Sequence, residues 1–140
     1  MNEKQVTSAF IAWMRADLML SLFEHYRDQR TKEHGNVVPD ITMVKDHDGI
    51  CLFLWQACLF AVLDFLDKRH FLPEPIAAEF ATIRDHLNKF RDCVFHVRDE
   101  FLHPNQDALF DTKDAIAITR HLHVEVGKFL RAELDASEPR

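Results

Sequence analysis

From Ile76 onward the apolar positions keep one rhythm. Ile76, Phe80, Ile83, Leu87, Phe90, Val94, Val97 and Phe101 alternate steps of four and three. Such spacing belongs to a helix lying lengthwise against other helices. It predicts a third helix from about 75 to 102, with Pro75 at its first position and Pro104 as its stop. Two flanking stretches carry the same kind of pattern. From about 3 to 33, Phe10, Met14, Leu18, Leu22 and Tyr26 recur every four residues, with Trp13 and Phe23 beside them. Asp17 lies close to that face, as a carboxylate reaching solvent or as an acidic partner for an arginine of the third helix. From about 112 to 135, Ala115, Ile118, Leu122, Val126 and Phe129 share one face. Asp111-Thr112-Lys113-Asp114 ahead of them has the form of a helix start.

The second helix departs from amphipathic patterning. Ile50 to Leu63 is apolar apart from Gln56, with Asp46 or Asp48 placed to cap it. Asp64, Asp67 and Lys68 close the run after about fifteen residues, short of the roughly 20 a bilayer needs, so no membrane span is expected. A helix apolar all round must be covered all round. Three other helices cover only part of it, so a face among Phe53, Trp55, Leu59, Phe60 and Val62 is expected to meet a second copy. A two-fold dimer through the second and third helices is the simplest partner. The connector at 34–48 is long for a helix–helix link and is either a lid or a surface loop. Residues 70–75 form a proline-marked turn. These elements predict an all-α, antiparallel up-and-down four-helix bundle, one domain over residues 1–140.

Composition adds exclusions. The net charge of −6 argues against a DNA or RNA coat, which needs a basic face. Nine His leave room for a local cationic site. Three cysteines, Cys51, Cys58 and Cys93, lie in apolar helical context without a CxxC pair, which suits reduced structural thiols. The first ten residues lack a basic region followed by an apolar run, so no signal peptide is expected. A cytoplasmic location follows as the expectation.

The histidines invite a test for metal. Glu100-Phe-Leu-His103 is an ExxH, and Asp67-Lys-Arg-His70 is its aspartate analogue. A di-iron bundle needs two such motifs at one level. His70 ends one helix, and His103 lies roughly 40 Å further along the next, so the two cannot share a metal. His121 and His123 fall on different helix faces and read as solvated. No cofactor is expected. There is no GxSxG, no glycine-rich phosphate loop, and no Cys at an electropositive helix start.

What remains is a repeat inside the third helix. Arg-Asp opens three successive sevens, at Arg84-Asp85, Arg91-Asp92 and Arg98-Asp99, and the later two carry a His five residues on, at His96 and His103. Within one helix Arg91 and His96 diverge by roughly 140°. Two copies beside a two-fold axis would line one cleft. Paired Arg and His suit RNA cleavage without metal: Arg neutralises the phosphate, and His moves the 2′-hydroxyl proton. Arg91-Asp92-Cys93-Val94-Phe95-His96, near the end of a third long helix, resembles the R-x4–6-H signature of the HEPN superfamily. That resemblance spans the bundle in architecture and six residues in motif. It implies a homodimer with the motif at its interface, and often an endoribonuclease of a toxin or defence system with an antitoxin partner. Arg91 would hold the phosphate, His96 would be the acid/base and Asp92 would orient His96. Arg98 and His103 form a lesser candidate pair. Two other readings stay open: a catalytically inactive HEPN-like binding module, and a histidine-rich metal-binding bundle.

Overall fold

Local capping marks where each helix begins and ends. α1, Glu3–His34, starts with a reciprocal cap: Asn2 Oδ1 accepts from the Gln5 amide at 2.9 Å, and Gln5 Oε1 accepts from the Asn2 amide at 3.0 Å. Gly35, at φ 72°, takes over where α1 stops, and its amide donates to the Thr31 carbonyl. α2, His47–Asp67, closes in a Schellman arrangement. The Phe71 amide donates to Leu66 O, the His70 amide donates to Asp67 O, and His70 adopts φ 55°. α3, Glu74–Phe95, begins one residue before Pro75, and the Pro73 carbonyl accepts from the Ala77 amide. α4 spans Lys113–Ser137. The computed structural model describes residues 1–35, 47–95 and 113–137, except for the side chains of 93–95 and 113. The expected end of the third helix, the connector at 36–46 and the residues from 96 to 112 lie outside the described residues.

The described helices form an all-α antiparallel four-helix bundle. Phe23 stacks on Trp55 while Arg30 reaches back to Asp48, so α1 and α2 run in opposite directions. Phe53 meets Phe90 and Phe60 meets Phe80, which sets the same relation between α2 and α3. Trp13 lies against Gly127 and Glu24 pairs with Arg120, bringing α4 back along α1. The five described members of the third-helix stripe, Ile76, Phe80, Ile83, Leu87 and Phe90, are all buried. Ala115, Leu122, Val126 and Leu130 supply the α4 core, with Ile118 and Phe129 packed at its edge.

Three expectations are corrected. On α1 the buried row is Val6, Ala9, Trp13, Ala16 and Phe23, whereas Met14 and Leu18 are 52% and 56% exposed. The helix carries apolar residues on two faces, and the one with alanines at 9 and 16 allows the closest approach. On α2, Phe53, Trp55, Leu59, Phe60 and Val62 are all buried within the single chain. The apolar demand that called for a second copy on α2 is therefore met internally, by α1 on one side and α3 on the other. Of the two candidate caps for α2, Asp46 lies outside the described residues, and Asp48 lies inside the first turn, buried, where it accepts from Arg30 Nε at 2.8 Å. By length and hydropathy alone, α1 and α2 each reach what a membrane span requires, but about two thirds of the apolar stretch of α2 is buried in the bundle.

Gln56 sits at this core with both amide atoms buried and, among the described residues, without a hydrogen-bond partner. An unsatisfied buried polar group costs about 1–3 kcal/mol. Gln56→Met keeps the volume and removes the polarity. It should raise unfolding free energy by about 1–3 kcal/mol in urea titration.

Candidate functional site

The α3 arginines occupy one ridge, seven residues apart, on the side facing α2. Their partners differ. Arg84 is spent on the fold: Nη2 donates to Asp64 and Nη1 to Asp67, each at 2.8 Å, clamping α3 to the end of α2. Burial works against ionising Asp64, but the hydrogen bonds from Lys68 and Arg84 outweigh it and hold that carboxyl below the usual range. Arg91 makes no such cross-helix ion pair among the described residues. Its Nε and Nη2 donate to Oδ1 of its own neighbour Asp92, at 3.1 and 2.7 Å. The guanidinium lies over the Phe60 ring, 5.3 Å from the centroid, and the side chain is 37% exposed. Phe60, buried on α2, thus gives the cation a fixed apolar floor. The arrangement is a half-exposed cation held in place, close to the described end of α3. His96, Arg98 and His103, the other candidate residues, lie outside the described residues. Compared with family models, with curated proteins and with solved structures, the chain matches none.

A second polar assembly was not legible as such in the sequence. His123, expected as a solvated helix residue, is buried at 2% exposure. Its Nδ1 accepts from Trp55 Nε1 at 3.4 Å, so Nε2 carries the proton and donates to Asp17 Oδ1 at 3.0 Å. Trp13 Nε1 donates to the His123 carbonyl at 2.9 Å, and its ring stacks on the imidazole. Among the described residues Asp17 is therefore the partner of an α4 histidine, not of an α3 arginine. Both imidazole nitrogens are occupied, so the group works as a polar pin joining α1, α2 and α4 rather than as an acid or base. The signal was present: Thr119, Leu122, His123, Val126 and Leu130 keep core spacing. Its neighbour His121 is exposed and pairs with Glu79 at 2.7 Å.

Among the described residues, no three His, Cys, Asp or Glu side chains group so as to hold a metal ion. Burial raises the thiol pKa of Cys51, with Asp48 adding to the effect; at Cys58 burial outweighs the opposing Arg15. Both thiols are thereby kept protonated, as structural cysteines are.

His86 on α3 has a buried Nε2 with no hydrogen-bond partner among the described residues, and its ring stands edge-on to Phe90 at 5.1 Å. Burial, then the nearby Lys89 charge, pushes its pKa down. The unfolded chain binds that proton more readily, near pH 6.5. His86 therefore contributes full stability above about pH 6.5 and loses it as pH falls toward the depressed folded value. In urea titrations at several pH values from neutral to mildly acidic, His86→Leu should lose less stability than the parent protein. Parallel curves would refute the assignment.

Proposed function

We propose that the protein is a HEPN-like endoribonuclease that acts without metal, as a homodimer whose α3 motifs meet at one cleft. The observation that carries this reading is Arg91. It stands at the motif position, it is half-exposed, and among the described residues its guanidinium is not spent on joining helices as that of Arg84 is. A cation on a fixed aromatic floor suits a bidentate grip on a phosphodiester. His96 would take the 2′-hydroxyl proton and return one to the leaving oxygen. The dimer brings the partner copy's Arg–His pair to the same phosphate. An antitoxin and a cytoplasmic setting belong to the same proposal. The test is cleavage of total RNA in EDTA by the purified protein and by His96→Ala. Equal cleavage by both, or none by either, overturns it.

One observation favours a second reading, a catalytically inactive HEPN-like binding module. Asp92 already occupies the face of Arg91 that a phosphate would take. Sedimentation would then show a dimer, with no RNA cleavage by any variant.

A further inference from the structure

We propose that Asp92 gates Arg91, so that an RNA phosphate binds only by displacing the Asp92 carboxylate from the guanidinium. The inference rests on the endoribonuclease reading and assigns its motif aspartate a different task from orienting His96.

The geometry is specific. Arg91 presents Nε and Nη2 along one edge, the pair of donors that a phosphate's two oxygens would meet. Both donors converge on a single oxygen, Asp92 Oδ1, at 3.1 and 2.7 Å. Phe60 covers one face of the guanidinium, so a ligand cannot approach from there. Phosphate and carboxylate therefore compete for the same edge. Asp92 is only 26% exposed, which shields the pair from water more than a free surface ion pair is shielded. The contact spans adjacent residues of one helix, so opening it requires a rotamer change and no helix movement. Arg91 is still 37% exposed, so the pair stays weak and the gate should be worth about two- to fivefold in affinity rather than orders of magnitude.

Asp85 supplies the matched control. It stands beside Arg84 as Asp92 stands beside Arg91, and it is exposed. Arg84, however, is held by Asp64 and Asp67. Removing the Asp85 charge changes the net charge equally but frees no arginine.

The experiment measures binding of a fluorescent single-stranded RNA oligonucleotide, and its cleavage in EDTA, with thermal melting of every variant. Asp92→Asn should bind about two- to fivefold tighter than the parent protein and cleave faster. Asp85→Asn should match the parent. Arg91→Ala combined with Asp92→Asn should show no gain over Arg91→Ala alone. Asp92→Ser, measured alongside, should repeat the gain, and it replaces Asp92→Asn as the deciding variant if that one melts early. The gate is overturned if the deciding Asp92 variant binds or cleaves less well than the parent, in which case the endoribonuclease reading stands and Asp92 orients His96. It is equally overturned if Asp85→Asn gives the same gain, or if the gain survives without Arg91. No binding or cleavage by any variant would remove the endoribonuclease reading and the gate together.

Discussion

Replacing Arg91 or His96 with alanine should slow RNA cleavage in EDTA by about 10²–10⁴-fold. The two losses have different origins. His96→Ala removes the group that moves the proton, and such groups contribute about that much. Arg91→Ala removes a cation aimed at the charge that develops on phosphate oxygens, in a site floored by Phe60 rather than by water. Arg91→Ala should not lower Tm by more than a surface change does, because Arg91 makes no cross-helix ion pair among the described residues. Arg84→Ala is the informative contrast. It leaves Asp64 and Asp67 without their clamp, so Tm should fall while the cleavage rate of the folded protein persists. Cleavage assays beside melting curves separate the two arginines. If Arg84→Ala abolishes cleavage at a temperature where it is folded, the assignment of Arg91 as the phosphate-binding arginine is wrong.

Trp13→Ala should cost about 3–5 kcal/mol, a Tm drop on the order of 10 °C. The ring is buried, stacked on Phe10 and on His123 with centroids at 5.6 and 5.1 Å, and Arg131 lies over it at 5.1 Å. Its truncation opens a large cavity between α1 and α4 and discards the hydrogen bond to His123 O. The same contact makes a second, sign-reversed effect visible. Alanine normally improves on glycine inside a helix by about 1 kcal/mol. At Gly127 a Cβ would fall 2.3 Å from Trp13 Cζ2 and 2.7 Å from Cε2, of a ring that is buried and stacked on its neighbours. Gly127→Ala should therefore destabilise, by about 1–3 kcal/mol as overpacked cores do. Urea titration decides both: a Gly127→Ala protein more stable than the parent would mean that the ring yields freely.

Legibility in the chain followed how many arrangements each pattern permits. The α3 stripe, whose described members Ile76 to Phe90 are all buried, has one apolar face, so helix and orientation both follow from spacing. The Arg-Asp sevens were visible in the same way, and so was the ridge that Arg84 and Arg91 share. On α1 two apolar rows compete, and periodicity alone ranks Met14 and Leu18 above Ala9 and Ala16. Packing reversed that order, because small residues let α2 and α4 approach.

By itself the sequence determined the all-α class, the four helices, the limits of α1 and α4 to within a few residues, and the inward face of α3. Local propensity, caps and hydrophobic period are short-range properties, and short-range properties are written in the chain. Only the tertiary structure decided which partner each polar group meets. Asp17 found His123, Arg84 found Asp64 and Asp67, and Arg91 was left with Asp92. Those choices depend on contacts between residues up to 106 positions apart, which no local spacing specifies. The same long-range packing covered α2 within one chain, where its composition alone had called for a second.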